Sequence, residues 1–432
     1  MTYLPKRRPK IPPRLNPSWP RVGKVIMRSR VTIVGGGLAG ASLACALEPL
    51  DLDITVLEAT PPQHDDQPSF DERTIALTYS SRQVLEGIGL WPEIASDAGP
   101  IHRIHISNRG HSGFARLDRN LIGADALGYV IPTRALGRAL TERLSNNPRV
   151  DYRCPAEVSS IDHDPLNSSI RVEVSGEKFS SSLVVLADGG RSSLGQSMGL
   201  KSKEKQYDKE ALIGIVGVDR DQDATAYERF TRHGPLALLP LDARRYALAW
   251  TLPKAQASEM VTLREKVFLE VLQDAFGDRV GFFSRCDRLK AYSLRRVEVE
   301  TPVGDRLIAL GNAAHIVHPV AGQGFNLGLR DVAHLAEEIF HGLKNNKDIG
   351  DSEVLAQYAN LRHRQTKRVL RFTEGLLQVF ANDYPGLSSG RNFALNMLEI
   401  LPPAKRMLLK RTAGLSEPLP RLTRGLPLGA SL

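Results

Sequence analysis

The chain has 432 residues, of which 42% are hydrophobic and 24% are charged, a composition that predicts a globular protein and excludes a collagen-like fibre. No run of about 18 apolar residues occurs, so the sequence contains no candidate membrane span. The net charge of +9 arises in residues 1–30, which hold nine basic residues and no acidic one, and the balanced remainder argues against a nucleic-acid partner.

Residues 1–29 are basic and rich in proline, and they contain no apolar stretch of the kind that a secretory signal needs. They are interpreted as a flexible tail, as the product of an upstream start codon with Met27 as the true start, or as an arm that binds a partner. The three cysteines, Cys45, Cys154 and Cys286, lie far apart without a CxxC spacing. A reducing cytoplasm is therefore expected.

From Val31 the pattern is strand, glycine turn, helix and strand, the opening of a βαβ unit. Gly35, Gly37 and Gly40 make the spacing GxGxxG, in which the glycines serve a tight turn, close approach to a pyrophosphate and close packing of helix on strand. Glu58 ends the next strand, where its carboxylate can accept hydrogen bonds from a ribose. Together these features predict a dinucleotide site.

The next segments continue the α/β pattern. FDERTIALTYSSRQVLEGIGLW starts extended and becomes helical, and Ile131–Leu144 is predicted to be a helix. Ser182–Ala187 is predicted to be a buried strand that ends at Asp188. On this segment alone, the carboxylate of Asp188 is either a cap for the following RSSLGQ helix or part of a cofactor site.

A charged linker is expected at residues 201–210, before a strand-rich region that contains ALIGIVGV, ALLPL and RYALAW. After Thr301 the α/β pattern returns with RLIALGNAAH. Gln357–Phe380 is predicted to be helical, and Leu395–Arg411 an amphipathic helix interrupted at Pro402-Pro403. The sequence thus indicates one α/β domain interrupted by a β-rich insertion and followed by a helical tail.

The segment Leu395–Arg411 carries leucine, isoleucine and methionine beside four basic residues. Two interpretations stay open: a helix packed on the body with a solvated basic face, or a helix that lies on an anionic membrane. The four basic residues are Lys405, Arg406, Lys410 and Arg411.

Residues 310–331, LGNAAHIVHPVAGQGFNLGLRD, are the most informative segment. Its glycines leave backbone N–H groups uncovered, and GQGFNLG leads into a helix whose N-terminus favours negative charge, so a phosphate or an anionic ring can bind there. His315 and His318 have no third ligand near them in the sequence, and no metal site is expected.

In their order and spacing, these motifs resemble the single-component FAD-dependent aromatic hydroxylases. The signature HPxAGQGxNLGxxD, present at His318–Asp331, is similar to that of the ubiquinone-biosynthesis branch. The segment YERFTRHGPLALLPL (Tyr227–Leu241), with Asn312 where Asp is usual, resembles the members that hydroxylate 2-polyprenyl-6-methoxyphenol. The resemblance covers about residues 30–420.

The resemblance implies an α/β fold of the p-hydroxybenzoate-hydroxylase type, in which an FAD-binding Rossmann-like domain of the glutathione-reductase type is interrupted by a β-rich substrate domain. The expected parts are a basic extension at 1–29; the FAD-binding domain at 30–110, 131–200 and 301–345; the substrate domain at 111–130 and 201–300; and a C-terminal helical region with a basic tail at 346–432.

The resemblance also assigns residues to the cofactor. It implies Gly35, Gly37, Gly40 and Glu58 at the adenosine and pyrophosphate, Arg73 at the phosphate or ribityl region, Asp188 at the junction with the substrate domain, Asn312 at the ribityl chain, and His318, Pro319, Gly322, Gln323, Gly324 and Asn326 around the isoalloxazine ring.

Three positions depart from the family pattern. Asn312 can accept a hydrogen bond from a ribityl hydroxyl but brings no charge. Gly195 stands where the family commonly has Arg, and Thr133, followed by Arg134, stands where Arg is often found.

In the family, NADPH or NADH reduces FAD, O2 adds to give a C4a-hydroperoxide, and this transfers oxygen to an electron-rich phenol. The resemblance implies this reaction on a polyprenyl phenol, either in the cytoplasm or peripherally on the inner membrane, where a biosynthetic complex is a further expected contact. The alternatives are hydroxylation of another ring position, a flavin reductase that acts on prenyl double bonds, and a flavin-bearing scaffold without turnover.

Overall fold

The structure is a computed structural model, and it describes residues 29–61, 73–317, 322–381, 387–415 and 419–429. The predicted basic extension lies outside the described residues, apart from its last position. So do His318 and Pro319, which were predicted to line the flavin ring.

The strands, in chain order, are β1 (Arg30–Val34), β2 (Asp53–Leu57), β3 (Thr74–Thr78), β4 (Gly99–Ile101), β5 (Arg103–Asn108), β6 (Phe114–Asp118), β7 (Gly128–Pro132), β8 (Val150–Arg153), β9 (Val158–Asp164), β10 (Ser169–Val174), β11 (Glu177–Ser181), β12 (Leu183–Leu186), β13 (Ser202–Val218), β14 (Thr225–Thr231), β15 (Gly234–Asp242), β16 (Arg245–Pro253), β17 (Phe283–Val299), β18 (Val303–Gly304), β19 (Leu307–Ala309) and β20 (His315–Ile316).

The α-helices are α1 (Leu38–Leu47), α2 (Tyr79–Gly87), α3 (Trp91–Ile94), α4 (Thr133–Asn146), α5 (Leu194–Ser197), α6 (Lys254–Thr262), α7 (Glu265–Phe276), α8 (Gln323–Lys344), α9 (Ser352–Ala381), α10 (Leu387–Ile400) and α11 (Pro402–Thr412).

A six-stranded sheet forms the centre of the nucleotide-binding half, with strand order β18-β19-β12-β1-β2-β8. All pairings except that of the edge strand β18 are parallel. Its central strands are short apolar runs, as expected for parallel strands covered on both faces. Val31 and Ile33 of β1 are fully buried in a core shared with α1, α4 and α8.

An eight-stranded sheet forms the second half, in the order β20-β17-β13-β16-β15-β14-β5-β6. One face is covered by α6 and α7, whose Leu272 and Phe276 are buried against the sheet. The strand-rich region predicted from ALIGIVGV, ALLPL and RYALAW is confirmed as β13, β15 and β16. Residues 103–108, expected in the FAD-binding domain, pair instead as β5 with β14 of this sheet. The rest of the predicted domain division stays a prediction.

The charged linker predicted at residues 201–210 is wrong, because residues 202–210 are the first half of β13 and pair with β17. Periodicity misses this strand because its side chains are almost all solvated. Cross-strand ion pairs replace apolar burial there: Glu204 pairs with Arg295 at 3.6 Å, and Lys203 pairs with Glu300 at 2.7 Å.

Two small three-stranded sheets complete the architecture, ordered β3-β7-β4 and β11-β10-β9. Residues 70–72 of the FDER segment lie outside the described residues, and the rest is extended and then helical as predicted, forming β3 and α2. The helix predicted at Ile131–Leu144 begins two residues later, because Ile131 and Pro132 pair with β3.

The C-terminal region is helical as predicted, and the break in the amphipathic segment is confirmed between α10 and α11, where Leu401 precedes Pro402. None of the helices in the described part of the chain is both long enough and apolar enough to cross a membrane. The mixed sheets and helices confirm the predicted α/β class.

Gly40 sets how closely α1 approaches the sheet. A Cβ atom at Gly40 would lie 2.0 Å from the backbone oxygen of Gly35 and 3.1 Å from the side chain of Ile33. No rotamer change relieves a clash with backbone, so α1 must move away from β1 if any side chain is added. This confirms the packing role predicted for the third glycine of the motif.

Gly40→Ala is expected to lower the free energy of unfolding by about 2 kcal/mol or more, because overpacking displaces the helix. Urea denaturation measures the change. The matched control is Gly342→Ala in α8, where the new Cβ would meet Val354 at an ordinary 3.6 Å and the gain in helix propensity is about 1 kcal/mol. Equal effects of the two substitutions would contradict the packing argument.

Candidate flavin site

Four sequence motifs meet at one edge of the six-stranded sheet. The glycine turn follows β1, Glu58 follows β2, Asp188 follows β12 and Asn312 follows β19. These four strands are neighbours in the order β19-β12-β1-β2 and run parallel, so their carboxyl ends lie side by side. Ligands of open parallel sheets bind at this edge.

The glycine turn leaves β1 in a conformation that only glycine adopts readily. Gly35 has φ +106°, and a Cβ there would lie 2.6 Å from the backbone of Ala187 at the end of β12. Gly37 is the N-cap of α1, and no side chain of the described residues caps that helix. An uncapped helix N-terminus at the end of a glycine turn is a favourable place for a diphosphate.

Glu58 is buried beside this turn, with 8% of its surface exposed. One carboxylate oxygen accepts from the backbone N–H of Gly36 at 2.7 Å, and the other accepts from that of Thr60 at 2.8 Å. Each oxygen retains a lone pair, so the fixed carboxylate can still accept hydrogen bonds from a ribose diol.

Asp188 holds its own loop together. Its carboxylate accepts from the backbone N–H groups of Gly190 at 3.0 Å and Ser192 at 3.1 Å, and it also bonds the Ser192 hydroxyl. These bonds brace the turn before α5, whose N-cap is Ser193. The donors precede the helix, and its N-cap Ser193 has no side-chain cap hydrogen bond, so the interpretation of Asp188 as a helix cap is wrong; contact with a cofactor stays a prediction.

The Asn312 turn lies against that loop and against α1. Residues 311–313 form a single 3-10 turn in which Asn312 is exposed. A Cβ at Gly190 would be 3.2 Å from the Asn312 carbonyl oxygen, and one at Gly311 would be 3.1 Å from the Cβ of Ala39 in α1. The predicted ribityl and diphosphate positions are thus adjacent.

A buried charge cluster supports the Asn312 turn from beneath. Asp331 of α8 is 1% exposed; its Oδ2 accepts from the backbone N–H of Gly311 at 3.1 Å and bonds His315 Nε2 at 2.6 Å. Its Oδ1 accepts from Arg362 Nε at 2.7 Å. Burial raises the pKa of Asp331, but Arg362 and His315 outweigh it, and the net pKa lies well below its usual range. The carboxylate is therefore charged.

Arg362 of α9 completes this cluster and is itself 2% exposed. Besides Asp331 it bonds the side chain of Gln365 and the backbone oxygen of Leu327. A buried ion pair with its remaining donors satisfied holds α8, α9 and the Asn312 turn in one arrangement.

The N-terminus of α8 is attached to β3 by Asn326, which is fully buried. Its amide nitrogen donates to the backbone oxygens of Ala76 at 2.7 Å and Gly322 at 2.5 Å, and its oxygen accepts from the N–H of Thr78 at 2.8 Å. Both N–H donors are used by the protein, so the side chain acts here by positioning the helix. Direct contact with the flavin stays a prediction.

The other residues predicted around the flavin ring, Gly322, Gln323 and Gly324, lie at the start of α8, and their contact with the ring stays a prediction. Gly322 is the helix N-cap, and no side chain in the described part of the chain caps the helix. Gln323 is buried, and its side-chain oxygen accepts from Arg330 at 3.0 Å. A Cβ added at Gly324 would meet Val317 at an ordinary 3.9 Å. The first turn of α8 can receive an anionic ring edge.

Arg73 lies away from the glycine turn, at the junction of the two halves. Its guanidinium stands over the ring of Tyr292 at 5.2 Å, and its backbone oxygen accepts from the N–H of Thr133. It lines a cavity of about 260 Å³ together with Ile213 and Lys290 of the eight-stranded sheet. Arg73 therefore lies beside the eight-stranded sheet, and its contact with the phosphate or ribityl region of FAD stays a prediction.

These observations fit FAD. The close approaches at Gly35 and Gly311, the uncapped N-termini of α1 and α8 and the fixed carboxylate of Glu58 form one continuous edge. FAD needs these groups in the order adenosine ribose, diphosphate, ribityl chain and ring.

The fold is that of the FAD-dependent monooxygenases. The crystal structure of p-nitrophenol 4-monooxygenase PnpA from Pseudomonas putida DLL-E4 superposes with a TM-score of 0.72 at 19% identity, covering 89% of this chain and 98% of that one.

Residues 28–373 match the family model described as FAD binding domain, and the chain belongs to this family. It is 32% identical to ubiquinone hydroxylase UbiL of Rhodospirillum rubrum, over 95% of this chain and 96% of the relative. It is 28% identical to 3-demethoxyubiquinol 3-hydroxylase of Escherichia coli, over 90% and 99%. The resemblance to FAD-dependent aromatic hydroxylases is confirmed.

Sequence reasoning missed the Asp331 cluster. Asp331 ends the glycine-rich signature and was visible there, but nothing marked it as the partner of His315. Arg362 stands in a helix full of basic residues and differs from them in being buried. The sequence feature that could have indicated this burial is an arginine flanked by apolar positions on one helix face.

Asp331→Asn is expected to lower the free energy of unfolding by about 3 kcal/mol or more, because Arg362 stays buried without its counter-charge. The loosened Gly311 turn should also lower the flavin content of the purified protein. Urea denaturation and the flavin-to-protein absorbance ratio measure the two effects.

The control is Asp221→Asn, which removes an exposed ion pair with Arg244 and should cost less than about 1 kcal/mol. If both substitutions cost the same, the cluster does not support the site.

Proposed function

We propose that this protein hydroxylates the aromatic ring of a polyprenyl phenol in ubiquinone biosynthesis, with 2-polyprenyl-6-methoxyphenol as substrate, NADPH or NADH as reductant and O2 as oxidant. The observation that carries the proposal is the meeting of four flavin-binding motifs at the carboxyl edge of β19, β12, β1 and β2. The names of UbiL and the Escherichia coli relative support the pathway and the class of substrate.

FAD, when bound and reduced by NADPH or NADH, would supply the two electrons that activate O2, of which one oxygen atom enters the ring and the other leaves as water. The chain binds and orients FAD. The N-terminus of α1 faces the diphosphate, Glu58 the ribose, and Asn312 the ribityl chain. The Asp331 cluster holds the Asn312 turn against α8 through the hydrogen bond from the backbone N–H of Gly311. The cavity beside Arg73 and Tyr292 lies against the eight-stranded sheet and is the place where we expect substrate to enter.

Hydroxylation at another ring position of the same pathway is the second candidate. It is favoured by the similarity to the relative named 3-demethoxyubiquinol 3-hydroxylase, because that name specifies a different ring position. The two candidates differ in the intermediate that accumulates when the protein is absent.

Aerobic cells that lack this protein are expected to accumulate polyprenyl methoxyphenol and to lose ubiquinone, as measured by mass spectrometry of lipid extracts. Wild-type protein should restore the quinone. Glu58→Ala should restore it poorly because the ribose loses its acceptor, whereas the exposed Glu93→Ala should restore it fully. A different accumulated phenol would move the reaction to another ring position, and unchanged ubiquinone would remove the pathway assignment.

Peripheral membrane contact through α10 and α11 is part of the proposal, because the substrate is a bilayer lipid. Four apolar residues are exposed there beside exposed basic ones. They are Phe393, Ile400, Leu401 and Met407, beside Arg406, Lys410 and Arg411. Lys405 is excluded from this surface, since it is mostly buried in an ion pair of 2.7 Å with Glu399.

The triple substitution Arg406→Glu, Lys410→Glu and Arg411→Glu should reduce the affinity for vesicles of phosphatidylglycerol and phosphatidylethanolamine, measured by co-sedimentation, by about a hundredfold or more, since each lost cation near an anionic surface is worth about 1 kcal/mol. The control reverses three exposed charges on α6, on α7 and in the short connection between these helices. The substitutions are Lys254→Glu, Arg264→Glu and Lys266→Glu. An equal loss of vesicle binding in both variants would indicate a general effect of charge. Unchanged vesicle binding in both variants would contradict the proposed membrane contact.

A further inference from the structure

Glu228 stands in a row of residues that crosses the eight-stranded sheet. From β5 to β17 the paired residues are Ile106, Glu228, Ala237, Ala249, Ile213 and Lys290. Paired residues share a face of the sheet, so all of these side chains lie on the same side.

This row faces the nucleotide-binding half. Its opposite side is the one covered by α7: Tyr227, next to Glu228, lies 5.5 Å from the ring of Phe276. On the side of Glu228, Ala226 and Ala247 belong to an apolar cluster with Val130 of β7. Glu228 therefore lies between the two halves of the molecule.

The middle of the row is an open trough, defined here as Glu228, Ala237, Ala249 and Ile213. All four are partly accessible, whereas most residues of the same strands on the α7 side are buried. Two adjacent alanines leave space above the sheet that larger side chains would fill. At its far end, Ile213 lines the cavity that also contains Arg73.

The trough has the length of a small aromatic molecule with a substituent. Three strand spacings of about 4.8 Å separate β14 from β13, so about 14 Å lies between Glu228 and Ile213. Helix α9 packs against β14 and β15 and covers this end of the sheet. Between Glu228 and Ile213 the row itself consists of Ala237 and Ala249, while Lys290 and Arg73 lie at the Ile213 end.

Glu228 has no hydrogen-bond or ion-pair partner among the described residues. Burial alone raises the pKa of its carboxyl to about 7. A carboxyl group kept in an apolar surrounding without a partner costs stability, and a ligand with a hydroxyl group would satisfy it.

We infer that Glu228 binds the phenolic hydroxyl of the substrate, whose apolar substituent lies along Ala237 and Ala249. This inference rests on the proposed function and names the polar contact that orients the ring. Glu228 accepts the hydrogen bond from the hydroxyl, and the trough selects a phenol over an ether of the same shape.

The test measures binding to the FAD-loaded protein without reductant, by the perturbation of flavin absorbance. The probes are 2-methoxy-6-prenylphenol and its O-methyl ether, which lacks the donor. Wild type should prefer the phenol. Glu228→Met should reduce the phenol-to-ether preference by about tenfold, and Glu228→Gln should reduce it less, because an amide still accepts a hydrogen bond without charge.

Two further variants distinguish the contact from a general effect. Ala237→Leu fills the trough and should lower the binding affinity of both probes equally, which leaves the phenol-to-ether preference unchanged. Glu177→Gln, at an exposed position of β11, should change neither the affinity for the probes nor the phenol-to-ether preference. Flavin content and thermal midpoint verify that each variant is folded.

An unchanged preference in folded Glu228→Met and Glu228→Gln would overturn the inference while leaving the hydroxylase intact. If the wild type bound neither probe and the cells lacking the protein made normal ubiquinone, the proposed function itself would fail. If Ala237→Leu bound both probes as wild type does, the substrate would lie outside the trough.

Discussion

The buried carboxylate of Asp331 is the constraint on which the candidate site depends. It bonds Arg362 of α9, His315 and the backbone of Gly311, so one side chain of α8 fixes helix α9 and the segment 311–315. A charge this deeply buried is stable only with its partners in place, and the arrangement is therefore all or none. The position of the Asn312 turn is therefore fixed by this cluster rather than by the hydrogen bonding of the short 3-10 turn itself.

A site built from the ends of several strands needs such a constraint. The four motifs follow different strands of the sheet, and loops after strands are less restrained than the strands themselves. Each carboxylate has a local brace: Gly36 and Thr60 donate to Glu58, and Gly190 and Ser192 donate to Asp188. The protein thus uses its own backbone donors to fix its carboxylates, leaving free lone pairs toward the cofactor edge.

The fold class and the nucleotide edge were predictable from sequence because their causes are local. Glycine is required at position 40 because a Cβ atom there would clash with the neighbouring turn. Buried parallel strands appear in the sequence as apolar runs. The first half of β13 was not predictable, since its charged residues are stabilised by pairing with a strand about 90 residues later. The partners of Arg362 and Asn326 were similarly hidden: the first pairs across 31 residues and the second across about 250. Long-range partners leave no periodicity in the sequence.

Glu228 shows why composition within a strand matters as much as its pattern. It shares a face of β14 with the buried Ala226 and Phe230, so alternation alone predicts an apolar residue at its position. The register places this acid opposite Ala237, between two halves of the protein, where small residues keep a space open. A protein optimised only for stability would fill that space and replace the acid with an apolar residue. The retained cost is explained if the space and the acid together receive a ligand that is apolar except for one hydroxyl.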